Sequence, residues 1–185
     1  YKAQEEAASM LAILSSISLG LIFVLLNQRY NSYVIALIIM ANVPLSLIGS
    51  VAALWIFGLP ISVSSMIGFI TLTGISSRNG ILKVSTYLTM IASGAPFNDE
   101  TIIRGSLDRV APVVLTALSA GCALIPLMFG IGEPGKEILS PVAITIVGGL
   151  ISATLLDALL TPILFKFLGL SVVRKLVLTN QLQGT

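Results

Sequence analysis

The stretch MIGFITLTGISSRNGILKVSTY, residues 66–87, opens as an apolar membrane-type run and then sets Ser76, Ser77, Arg78 and Asn79 side by side within it. At helical spacing Thr71, Gly74, Arg78 and Ser85 share one stripe, while Ser76, Asn79, Lys83 and Thr86 share a neighbouring one. An arginine near mid-membrane costs about 2.5–3.5 kcal/mol on insertion scales, so Arg78 must face protein or water. Two readings stay open at this point. Arg78 is a structural cation that ties helices together or snorkels to an interface, or it belongs to an ion- or proton-coupled site inside a helix bundle. The rest of the chain supplies the walls around that helix.

Composition agrees with a membrane setting. Hydrophobic residues make up 56% of the chain and charged ones 10%, with a mean hydropathy of +1.02. A soluble domain carries about 25% charged residues, so an integral membrane protein embedded in a lipid bilayer is expected. The net charge of +2 is spread along the chain and gives no basis for nucleic-acid binding. Histidine is absent, which removes the commonest transition-metal ligand and the usual titrating group near neutral pH. The single cysteine, Cys122, stands in an apolar run and is expected to be a buried, inert thiol. No nucleotide-binding glycine loop and no catalytic acid–metal cluster is legible, so neither enzyme chemistry nor a cofactor or resident metal is expected.

Five apolar stretches reach the length of about 20 residues that a membrane span needs. They cover residues 10–26, 33–57, 64–90, 110–129 and 138–168. Between the third and fourth, residues 96–107 offer Asn98 as a helix N-cap with acids behind it, which predicts a separate short interfacial helix. Residues 1–9 are polar and helix-prone, without the pattern of a signal peptide, and read as the tail of a preceding domain. With Tyr1 outside, Arg29, Lys83, Arg104, Arg109, Lys166, Arg174 and Lys175 fall on the inner side or its flank, and Lys2 and Lys136 fall outside. That asymmetry predicts a cytoplasmic C-terminus. Small residues four apart, Gly49 and Ala53, Ala117 and Gly121, and Gly149 and Ala153, offer places for helices to approach closely.

Counting about 1.5 Å per residue, Arg78, Thr116 and Asp157 lie at similar depth on three different spans, in the inner half of the membrane. Asp157 is the only carboxylate inside a span. A buried acid stays ionised only beside a cation, so an Arg78–Asp157 pair is expected, either structural or functional.

Three runs carry a resemblance to a known family: GFITLTGISSRNGIL, RGSLDRVAPVVLTALSAGCALIPL and GEPGKEILSPVAITIVGGLISATLLDALLTPILF. Together they resemble the last transmembrane helices of resistance-nodulation-division efflux pumps, and the GEPGKE loop and Asp157 are most similar to the heavy-metal branch. The resemblance implies an all-α piece with spans eight to twelve of a twelve-helix permease, plus the short cytoplasmic interfacial helix. Residues 1–9 would then end a periplasmic docking domain, residues 10–169 would form the transmembrane domain, and residues 170–185 a cytoplasmic tail. It further implies a proton-driven inner-membrane exporter, homotrimeric when intact, joined to a periplasmic adaptor and an outer-membrane channel. Arg78, Asn79 and Thr116 match family positions of the proton relay, Arg109 matches a basic position on the cytoplasmic proton path, and Asp157 joins them as a coupling candidate. Arginine does not release a proton at ordinary pH, so Arg78 would act as a fixed charge. The family's aspartate-bearing fourth helix is not in this sequence, and the isolated piece is not expected to transport. A drug-exporting permease and a non-transporting segment with a structural Arg–Asp pair are the alternatives.

Overall fold

Helix makes up nearly all of the computed structural model, which describes residues 2–130 and 135–169. α1 (Lys2–Tyr30) is unbroken, so residues 2–9 extend the first span's helix without a joint. Asn31, in the left-handed region at φ 47°, and the N-cap Ser32 turn the chain into α2 (Tyr33–Met40). α3 (Asn42–Ile56) follows after a break at Ala41. Pro44 explains that break. It has no N–H for the carbonyl of Met40, and its ring crowds that carbonyl, so the second span is kinked one turn before the proline. α2 and α3 together still cross as one span, Tyr33–Ile56.

Gly58, at φ 64°, and Pro60 shape the link to α4 (Val63–Ala92), which starts on a capping box between Ser62 and Ser65. α5 (Asp99–Met128) and α6 (Leu139–Leu168) complete the bundle. α1, α2–α3, α5 and α6 are each long and apolar enough to cross a membrane. α4 has the same 30-residue length as α5 and α6, but the polar cluster interrupts its apolar run. The chain is a multi-pass membrane protein, all-helical among the described residues.

Two expectations need correction. The interfacial helix over residues 96–107 is not separate: Asn98 does cap a helix, accepting from the Thr101 N–H at 2.9 Å, but that helix runs on as α5 to Met128. Nothing between them ends it. Gly105 sits where the Tyr87 ring packs, and a Cβ there would come within 2.8 Å of Tyr87 Cδ1. Pro112 costs α5 one backbone bond without stopping it. Cys122 is exposed, not buried, because it lies on a face of α5 that no described helix covers.

α6 is the centre of the packing and lies against α3, α4 and α5. Gly49 meets Ser152, and Gly148 meets Ala53, which sets α3 antiparallel to α6 at close range. Gly68 packs on Thr145 and Gly149 on Leu72, so α4 runs parallel to α6 in a constant register. Hydroxyls bond across these contacts: Ser50 Oγ donates to the Thr145 carbonyl at 2.8 Å and Ser152 Oγ to the Leu45 carbonyl at 2.8 Å. Of the three small-residue pairs, Gly49/Ala53 and Gly149/Ala153 are used in this packing, whereas Gly121 faces open space. At one end of the bundle Leu26, Ile35, Ile39, Val84, Tyr87, Ile102 and Phe165 form the apolar core.

Candidate functional site

The two stripes read from α4 have opposite fates. Ser76, Ser77, Gly80 and Lys83 are buried, while Thr71, Gly74 and Arg78 are exposed and Asn79 is half-buried. The buried stripe is continuous with Ser65, Gly68 and Leu72 above and Tyr87 below, at the three- and four-residue spacing of a helix face. It faces α6 and the α2–α3 kink.

Asp157 on α6 meets this stripe, and its partner is Lys83. The ammonium donates to Asp157 Oδ2 at 2.5 Å and to the Asp157 backbone carbonyl at 2.9 Å. Both side chains are almost fully buried, 4% and 7% exposed. The expected Arg78–Asp157 pair is therefore replaced by a Lys83–Asp157 pair. The reason is direction around the helix. Five residues separate the two cations, which is roughly 140° of rotation, so only one of them can point at α6. Lys83, which sequence alone put on the cytoplasmic flank, is a core residue.

Around the pair the structure gathers groups that sequence reasoning missed. Thr161, one turn beyond Asp157 and fully buried, contacts Asp157 Oδ1. The same hydroxyl lies 3.1 Å from Asn42 Oδ1 at the α2–α3 kink. Ser76 Oγ donates to the Asn42 backbone carbonyl at 2.9 Å. A threonine has one hydroxyl hydrogen, so it cannot donate to both Asn42 and Asp157. Asn42 Nδ2, meanwhile, is buried without a partner. A half-turn of the Asn42 amide lets Nδ2 donate to Thr161, which leaves the Thr161 hydrogen for the Asp157 carboxylate. Gly80 makes room for that amide, since a Cβ there would stand 2.8 Å from Asn42 Nδ2. The signals were present in the sequence as the four-residue spacing of Asp157 and Thr161, and as a polar Asn42 two residues before a proline.

The other residues expected at the site do not converge on this cluster. Thr116 is exposed on α5 and bonds its own helix, donating to the Pro112 carbonyl at 2.8 Å. Arg109, half-buried, donates from Nε to Thr86 Oγ1 at 2.6 Å and so links α5 to α4. Nearby, Tyr87 and Ser106 share a hydrogen bond of 2.6 Å. A separate apolar groove of about 450 Å³ lies between α1, α3 and α4, with Ile22, Val51, Met66 and Phe69 among its walls. Arg174 and Lys175, used in the charge count, lie outside the described residues.

Comparison with known proteins supplies context. Residues 1–169 match the family described as AcrB/AcrD/AcrF. The chain is 33% identical over 162 residues to the cobalt-zinc-cadmium resistance protein CzcA of Cupriavidus metallidurans, covering 88% of this chain and 15% of that protein. It is 36% identical over 164 residues to the multidrug resistance protein MdtC of Proteus mirabilis, covering 89% and 16% respectively. A crystal structure of a heavy metal efflux pump superposes with a TM-score of 0.79 at 32% identity, over 91% of this chain and 16% of that one. The chain thus spans about 15% of the length of these relatives.

Proposed function

The chain belongs to the AcrB/AcrD/AcrF family of resistance-nodulation-division permeases, and on that footing we propose that it forms the last five spans of a proton-driven exporter of heavy-metal cations. The observation that carries this reading is Arg78: a guanidinium exposed midway along α4, on the stripe turned away from α6 and the kink. In a membrane such a group must meet water or a carboxylate. Asp157, the buried acid among the described residues, is already held by Lys83. Arg78 is thus a fixed cation presented to carboxylates on another segment, whose protonation it senses without giving up a proton itself. Asn79 beside it and Thr116 on α5 would be polar neighbours in that relay, and Arg109 would stand on the proton's cytoplasmic path. Asp157 serves the relay from inside the bundle, where it holds α4. The role is transport and not bond-making catalysis.

The fuller assembly follows from the same reading. The permease would sit in the inner membrane as a homotrimer with its C-terminus in the cytoplasm, joined to a periplasmic adaptor and an outer-membrane channel. A metal cation is favoured as substrate by the heavy-metal pump that the chain superposes on. An organic substrate has its own support in the apolar groove and in the identity to MdtC. The deciding experiment reconstitutes the intact permease in vesicles under a pH gradient and follows cobalt and a cationic dye in parallel. Cobalt movement that collapses in Arg78→Ala and partly survives in Arg78→Lys supports the proposal. Dye movement alone shifts it to the organic reading, and undiminished cobalt transport in a stable Arg78→Ala protein refutes it.

A further inference from the structure

We propose that the buried Lys83–Asp157 bridge is a positioning device for Arg78, holding α4 in the one rotational setting that turns the guanidinium out of the bundle. The geometry is a closed ring of contacts. Lys83 bonds Asp157 twice, through Oδ2 at 2.5 Å and the carbonyl at 2.9 Å. Asp157 contacts Thr161, Thr161 meets Asn42 at 3.1 Å, and Asn42 receives Ser76 at 2.9 Å. Ser76 and Lys83 are both on α4, two turns apart on the same face, and Arg78 lies between them in sequence on the opposite side. The helix is pinned at two points that bracket Arg78, so it cannot roll without breaking both.

The other α4–α6 contacts near the pair are apolar, the Tyr87–Phe165 ring contact at 4.8 Å included, and set no directional bond. Gly68 lies close against Thr145, and Leu72 fills the space beside Gly149; glycine and aliphatic surfaces allow close approach without directional bonds. An ion pair is also a poor choice if stability were its only purpose, because apolar residues of similar volume hold a buried site at least as well. What a charged pair with directional hydrogen bonds adds is a single setting. Among the described residues, no other charged side chain bonds the pair. α2 and α3 carry no charged side chain, Arg109 of α5 is spent on Thr86, the Tyr87 hydroxyl on Ser106, and Lys166 of α6 bonds Asp99.

Its bearing on transport rests on the role given to Arg78 above; the positioning itself does not. The test uses two thiol reporters in the permease in membranes, with Cys122→Ala as background. Gly74→Cys reports on the outward stripe, at the wall of the apolar groove with room for an added Cβ, and Ser77→Cys on the buried one, 4% exposed. A membrane-permeant maleimide should label the first and spare the second. In the apolar double variant Lys83→Met/Asp157→Leu that contrast should be lost while the helices stay assembled, and export should fall with it. Lys83→Arg, which keeps the charge, should retain the contrast. Should that pair fail to assemble, Lys83→Leu/Asp157→Ala, equally without directional bonds, carries the same expectation. An unchanged contrast in an assembled double variant overturns the proposal and leaves the bridge as a stabilising contact only. Absence of export from every protein, parent included, overturns the transport reading, while the labelling contrast still decides the positioning.

Discussion

Replacing Lys83 by methionine should be among the most damaging single changes available in this bundle. Methionine keeps most of the length and volume, so the loss is electrostatic and not a cavity. It strands the Asp157 carboxylate at a site where the two side chains are only 4% and 7% exposed and water cannot take the ammonium's place. Breaking one side of a buried ion pair costs about 3–5 kcal/mol. A neutral interhelical hydrogen bond in a membrane protein averages about 0.6 kcal/mol, and the Ser76–Asn42 bond at 2.9 Å is of that kind. Lys83→Met should therefore destabilise several times more than Ser76→Ala. Adding Asp157→Leu should recover most or all of the loss, because the uncompensated charge is gone. The assay is helix loss by circular dichroism as denaturing detergent is titrated into mixed micelles, run on wild type, both single variants, Ser76→Ala and the double. A Lys83→Met protein no weaker than Ser76→Ala, or a double variant as weak as Lys83→Met, would refute the assignment of Lys83 and Asp157 as a buried, mutually compensating pair.

Three further outcomes are expected. Gly149→Ala should cost about 1–3 kcal/mol by forcing a methyl against Leu72 and Ser50, whereas Gly121→Ala, with open space around it, should be neutral or slightly stabilising through helix propensity; the same detergent titration compares them. The Lys166–Asp99 pair is 2.7 Å long but 52% and 64% exposed, so Asp99→Asn should change stability by less than about 1 kcal/mol, and a larger loss would show that the pair is not simply a surface contact. In a Cys122→Ser background, Glu137→Cys should react with an impermeant thiol reagent only from outside and Arg104→Cys only from inside; reaction of both from one face would remove the five-span topology.

Helix placement was legible because hydropathy and punctuation are local. The lengths of the apolar runs, the Gly58–Pro60 link and the Asn98 cap are all written in a few adjacent residues. Where the sequence reading went wrong, the missing quantity was tertiary. Residues 96–107 carry helix-start signals and amphipathic character, which suit a short surface helix and the first turns of a long one equally well. What joins them to the span is the helical backbone, which runs on from Asp99 to Met128. Cys122 failed for a related reason: an apolar neighbourhood says that a residue avoids water, but in a membrane both lipid and protein satisfy that condition. The break at Ala41 was visible as Pro44, since one missing N–H and one crowded carbonyl are local facts.

The partner of Asp157 shows most sharply where such reasoning stops. Gly68 opposite Thr145 and Leu72 opposite Gly149 put Asp157 level with Gly80 on α4. Arg78 lies two residues to one side of that level and Lys83 three to the other, or about 3 and 4.5 Å along the axis. Both are well within the reach of a long cationic side chain, so depth cannot choose between them. The choice is made by azimuth, and azimuth depends on which stripe of α4 faces α6. Sequence had drawn both stripes, one with Arg78 and one with Lys83, without saying which was inside. The deciding clue is the company each cation keeps. Lys83 shares its stripe with Ser76, and the neighbouring buried positions Gly68 and Gly80 are glycines, which allow backbones to close on one another. Arg78 shares its stripe with Thr71 and with Gly74, where an added Cβ has room. A lysine on the closely packed side must bring its counter-ion into the bundle, and Asp157 is the acid that α6 supplies there. That leaves Arg78 facing outward with no ion pair among the described residues, as the coupling role proposed for it requires.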